Sequence, residues 1–135
     1  MTAAQCVSTL RQWCTPKPEA WRIAHMYFVC AEEMIDSNLA RDATAEFLLT
    51  RGDFAWIGYS WSGCYPLPTN KTTHKPLNST WLRPRPVLWD EDFGGAPSGP
   101  CEETEEGSEV FVRRYPHADV KWTCATGHGE ISWHA

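Results

Sequence analysis

The spacing of apolar residues changes sharply near residue 52. Upstream, Leu39, Ala43 and Phe47, together with Ala40, recur at intervals of three and four, which predicts one apolar face on a helix over residues 39–50. Asp36, Ser37 or Asn38 can cap its start, Arg51 suits the negative end of the helix, and Gly52 is placed to stop it. Downstream runs Phe54-Ala55-Trp56-Ile57-Gly58-Tyr59-Ser60-Trp61, apolar on both alternating faces. That pattern predicts a strand buried on both sides, as in a parallel sheet covered by helices. Helix, tight turn and buried strand make half of a βαβ unit.

The flanking regions read differently. Residues 1–35 suggest helical pieces broken by Pro16 and Pro18. Pro18 and Glu19 can open a helix through Ala20, Ile23, Ala24 and Tyr27, while Tyr27-Phe28-Val29-Cys30 reads equally as a buried strand. From residue 63 to 107 the chain holds most of its prolines and no regular period; a stretch of this kind is usually functional or stapled down. The C-terminal stretch alternates with period two. Val110-Phe111-Val112-Arg113 predicts a strand, Tyr115 to Ala118 a turn, and Val120, Trp122 and Cys124 one face of a second strand. Gly127 and Gly129 bracket a further turn before Ile131-Ser132-Trp133. The expected fold class is α+β.

Composition narrows the function classes. The chain has 135 residues, 42% hydrophobic and 21% charged, which fits one domain with a real core. A net charge of −5, densest at Glu102, Glu103, Glu105, Glu106 and Glu109, argues against a nucleic-acid surface and reads as a solvated loop. No apolar stretch is long enough to cross a membrane. Six cysteines (Cys6, Cys14, Cys30, Cys64, Cys101 and Cys124), none in a CxxC pair, suggest a disulfide framework rather than a zinc site. Cys64 and Cys101 are placed to staple the irregular stretch, and a Cys101–Cys124 bond would close about 24 residues, worth roughly 3 kcal/mol in chain entropy. The sequons at Asn70 and Asn78 fit a glycosylated surface loop, so an extracellular or secretory-pathway protein is expected. Met1 to Cys6 has no signal-peptide character, which suggests a chain without its beginning.

Three stretches together resemble a known family. They are Phe47 to Tyr59 (FLLTRGDFAWIGY), Asp92 to Cys101 (DFGGAPSGPC), and Val110-Phe111-Val112-Arg113 leading into Val120-Lys121-Trp122-Thr123-Cys124. Their order and spacing are similar to the C-terminal end of glycoside-hydrolase-like (β/α)-barrel proteins. The chain departs from that pattern at Phe93, where Tyr is usual, and at Gly94-Gly95. The resemblance implies the terminal helix–strand unit of a (β/α) barrel in residues 1–62, a Pro/Gly-rich stapled loop in 63–107, and a small antiparallel β appendage in 108–135. It also implies a missing N-terminal barrel portion as partner, since such a barrel needs at least about 200 residues.

Chemistry follows from position on the barrel. Glycosidic hydrolysis needs two carboxyl groups about 5–10 Å apart, carried in barrels at the C-terminal ends of strands. Glu32 and Glu33, after the candidate strand at Tyr27–Cys30, are the best-placed acids. Asp90 and Asp92 are weaker candidates in a loop that could fold over the barrel mouth, with turn and capping roles as their leading reading. Tyr59, Trp61 and Trp56 are the candidate sugar-stacking aromatics; alternation puts Trp56 and Ile57 on opposite sides of the strand, and core packing is the leading reading of Trp56. No cofactor and no metal site are expected, and by itself the chain is expected to be catalytically inert. The alternative is a standalone cysteine-stapled β-rich binding module.

Overall fold

A computed structural model of the chain describes residues 1–15, 25–29, 37–59, 71–73 and 86–135, with only the backbone of 25–29, Ser37 and Tyr59. Its elements are α1 (Ala3–Cys14), β1 (His25–Val29), α2 (Ser37–Thr50), β2 (Ala55–Tyr59), β3 (Glu102–Glu103), β4 (Val110–Arg114), β5 (Ala118–Thr123) and β6 (His128–Trp133). The fold is α+β, and its four-stranded sheet β3-β4-β5-β6 is antiparallel throughout. A short 3-10 helix, Val87–Asp90, and strand β3 bring order into the stretch whose sequence carries no regular period.

Residues 25–29 resolve as strand rather than helix, and β1 pairs with β2 in parallel, from His25 with Ala55 to Val29 with Tyr59. The chain between them includes α2, so β1, α2 and β2 form a βαβ unit. Such a crossover returns α2 antiparallel to both strands, while its main packing partners are β4, β5 and β6. Its last turn therefore sits at the start of β2, only a few residues away along the chain.

Helix α2 is buried more widely than one apolar stripe predicts. Ala40, Thr44, Ala45, Phe47, Leu48 and Leu49 are all buried, whereas Leu39, expected on the apolar face, is 52% exposed. The cause is coverage on more than one side. Gly129 of β6 lies so close to α2 that a β-carbon there would collide with that of Ala45 and press on the Trp122 ring. Ala55 and Ile57 of β2 pack on the same cluster. Gly129, expected to bracket a turn, is thus a strand residue kept small by helix–sheet contact.

The end of α2 is also closed differently from expectation. Gly52 has no left-handed backbone, and Arg51 lies over the Phe47 ring, 5.7 Å from its centroid. Arg113 of β4 supplies the cap, donating through Nη1 to the carbonyls of Leu48, Leu49 and Arg51 and through Nε to Gly99. The Tyr115 hydroxyl donates to Leu48 at 2.7 Å. The orphan carbonyls of a helix terminus are thereby satisfied from the sheet.

Helix α1 opens with a capping box. The Thr2 hydroxyl accepts from the Gln5 amide at 3.2 Å, and the Gln5 side chain accepts from the Thr2 amide at 2.9 Å. Val7, Leu10 and Cys14 form its buried stripe. Two disulfides hold it down, Cys6–Cys124 and Cys14–Cys101. Cys101 and Cys124 are therefore both bonded, but neither to each other nor to Cys64. Sequence proximity misleads here because α1 carries two sulfurs about 12 Å apart along the helix, one bonded just after β5 and the other just before β3. The separations are 118 and 87 residues, so either bond alone removes about 4–5 kcal/mol of unfolded-chain entropy. The second bond, given the first, closes only a ring of segments 6–14 and 101–124, worth roughly 3–4 kcal/mol.

Candidate functional site

The parallel register places the C-terminal ends of β1 and β2 side by side, Val29 against Tyr59. That edge is where a (β/α) architecture gathers its chemistry. Along the chain Glu32 and Glu33 follow β1, and Trp61 follows β2. Those three residues, the sequons at Asn70 and Asn78, and the Tyr59 side chain lie outside the described residues.

Trp56 is described in full. Ala55 and Ile57 point toward the core under α2, and strand alternation sends Trp56 the other way. Trp56 is 56% exposed and Phe54 is 47% exposed. The strand expected to be buried on both sides is therefore covered on one. The reason is that α2 and the antiparallel sheet close only one face, leaving an indole and a phenyl ring bare on the other.

Asp90 and Asp92 lie elsewhere. The indole N–H of Trp89 donates to the Thr44 hydroxyl at 3.0 Å, pinning the 3-10 helix and Asp90 beside the middle of α2. Phe93 packs edge-on against Tyr115, with centroids 5.9 Å apart, and lies 4.9 Å from the Trp133 ring. Because Tyr115 is bonded to Leu48, this aromatic group marks the C-terminal end of α2, at the start of β2. The Tyr59 end is about 13 Å away along the strand. One Asp92 carboxylate oxygen accepts from the Gly94 amide at 2.8 Å, and the Asp92 carbonyl contacts His117 Nδ1 at 3.1 Å. The structure thus gives Asp92 a turn-forming place and does not bring it to the edge that Glu32 and Glu33 follow.

The DFGG stretch owes its conformation to that turn. Gly94 has φ +85°, and a β-carbon there would come within 2.6 Å of Pro116 Cβ and 2.9 Å of the His117 ring. The His117 amide donates to the Phe93 carbonyl at 3.1 Å, and the Ser98 amide to that of Arg114 at 2.9 Å. Residues 92–98 are consequently laced to the β4–β5 turn.

Three groups have shifted ionisation. Burial pushes the Arg113 guanidinium below its ordinary value, with Arg51 adding to this and Tyr115 and Asp53 opposing. Burial also raises the Tyr115 phenol, only partly offset by Arg113 and Arg51. At Glu103, burial alone would raise the carboxyl. Hydrogen bonds from Arg11 and the Glu109 and Gly107 backbone, with the Arg11 charge, outweigh it and hold the group below its ordinary value. All three shifts belong to groups that bind elements together.

Sequence reasoning did not find the Asp42 constellation. Its carboxylate accepts from the Gly129 amide at 3.0 Å and contacts His128 Nδ1 at 2.8 Å, tying α2 to the edge strand β6. Among the described residues no three His, Cys, Asp or Glu side chains gather as a metal site, and no helix is long and apolar enough to cross a membrane. No protein-family model matches the chain, and no curated protein sequence matches it.

Proposed function

We propose that the chain is the C-terminal part of a secreted, glycoside-hydrolase-like (β/α)-barrel protein. It supplies the last helix–strand unit and a β appendage, and is not catalytic in isolation. The observation that carries this reading is the bare face of β2. Parallel strands ordinarily have both faces covered, and in a barrel the side away from the helix turns inward. Phe54 and Trp56 occupy that side at 47% and 56% exposure. Further strands of a barrel would bury them. The two disulfides support an oxidising compartment.

On this reading a carbohydrate ligand lies over the C-terminal ends of β1 and β2, with Tyr59 and Trp61 as stacking surfaces. Glu32 and Glu33 are the acids nearest to it along the chain. Trp56, further down the strand, lines the barrel interior.

A second reading has its own support. Cys6–Cys124 and Cys14–Cys101 tie the first helix to the final sheet, so the chain closes on itself as a standalone binding module would. Sedimentation and hydrophobic-dye binding of the isolated chain separate the two. A barrel part self-associates or binds dye, and Trp56→Gln weakens both. A cooperative monomer that excludes dye would replace the barrel reading with the binding module.

A further inference from the structure

Among the described residues, helix α1 is tied to the sheet by its two disulfides, one charged pair and a short apolar stripe. Arg11 forks onto the Glu103 carboxylate through Nε and Nη2 at 2.9–3.2 Å, but its guanidinium is 53% exposed, so solvent screens the pair. The apolar contribution is the short stripe of Val7, Leu10 and Cys14. A helix of 12 residues is marginal once detached. The rest of the fold is braced without α1. Arg113 and Tyr115 cap α2 from β4, Asp42 of α2 holds Gly129 and His128 of β6, and Trp89 is bonded to Thr44.

We propose that α1 is a redox-released strap, freed by reduction of its two disulfides while α2 and the antiparallel sheet stay folded. Its departure uncovers the apolar surface that Val7, Leu10 and Cys14 now cover. A dithiol is the reductant. One thiolate attacks a cysteine sulfur, the S–S electron pair leaves on the partner cysteine, and that sulfur takes a proton. The second thiol then closes on the mixed disulfide, releasing the other cysteine and leaving the reductant as a disulfide. Each bond thus takes up two electrons and two protons.

Access sets the order. Cys124 is 6%, Cys14 8% and Cys101 4% exposed, whereas Cys6 is only half-buried. Attack on Cys6 therefore breaks Cys6–Cys124 first and frees the capped end of α1, and Cys14–Cys101 follows.

The test is stepwise reduction of the full chain with dithiothreitol, with alkylation trapping and hydrogen exchange read by mass spectrometry. Cys6 and Cys124 should be alkylated before Cys14 and Cys101. After full reduction, amides of residues 3–14 should exchange at least tenfold faster while those of 40–50 and 110–133 keep their protection. A variant with Cys6→Ser, Cys14→Ser, Cys101→Ser and Cys124→Ser should give the same exchange pattern without reductant. Uniform loss of protection, failure of that variant to fold, or undiminished protection of α1 after reduction would each overturn the proposal.

Discussion

Arg113 holds the carbonyls of Leu48, Leu49 and Arg51 at once, closing a helix from a strand more than 60 residues away along the chain. Tyr115 adds a hydrogen bond of 2.7 Å to Leu48. Removing the guanidinium strands several buried carbonyls, whereas removing the hydroxyl leaves Leu48 still served by Arg113. Arg113→Met should therefore cost about 3 kcal/mol and Tyr115→Phe about 1 kcal/mol in urea denaturation. Arg113→Lys should rescue only in part, because a single ammonium nitrogen cannot serve the helix carbonyls and also replace the second bond, from Nε to the Gly99 carbonyl.

Tyr115 also fixes a direction in alkali. Its phenol is raised above the ordinary 10.0 chiefly by burial. Its contribution is thus fully present below pH 10.0 and is lost as the pH climbs through the folded-state value. Denaturation midpoints of the wild type and Tyr115→Phe should converge above pH 10.0; a gap that stays constant would contradict this.

Close approach of Gly129 to Ala45 gives a paired test. Gly129→Ala should destabilise by about 1–3 kcal/mol through overpacking. Adding Ala45→Gly should return part of that loss, although glycine inside a helix itself costs about 1 kcal/mol. A double-mutant cycle with no coupling would mean that the two residues do not press on each other.

How much of this was legible depends on the range over which each signal acts. The appendage strands were readable because Val120, Trp122 and Cys124 alternate locally, and the α2–β2 order because its change of period lies within one window. Thr2 and Gln5 also carried a readable capping-box signal that composition-level reading of residues 1–35 passes over. The cap by Arg113, the notch at Gly129 and the bonding of Cys6 and Cys14 to the sheet were not readable, since each joins segments far apart in sequence. Leu39 misled for a related reason: one stripe was fitted to a helix that packs on more than one side. At the candidate site, alternation identified Trp56 as a residue with a face of its own. It could not say that the face would be open.

Glu103 ties α1 to the sheet, and its ionisation gives an acid-side test. Burial opposes the charge, but the bonds from Arg11, Glu109 and Gly107 prevail, so the carboxyl lies below its ordinary 4.5. A lowered folded-state value means a contribution fully present above pH 4.5 and lost as the pH falls through that lower value. Thermal midpoints of the wild type and Glu103→Gln should therefore differ at neutral pH and converge below pH 4.5. Equal midpoints at neutral pH would remove the Arg11–Glu103 contact from the account of how α1 is held.

Trp56 connects stability to function most directly. Most core tryptophans cost 3–5 kcal/mol on truncation, because a cavity replaces the ring. Trp56 is 56% exposed on a side of β2 that the core does not reach, so Trp56→Gln in the isolated chain should change stability by no more than about 0.5 kcal/mol. In a longer protein whose further strands cover β2, the same change should cost several times more, approaching the core value. Urea denaturation of the isolated chain and of the longer protein, each with and without the substitution, compares the two. A cost near 3 kcal/mol already in the isolated chain would place Trp56 in this chain's own core. A small cost in both would make the exposed ring a free surface and count against the barrel reading.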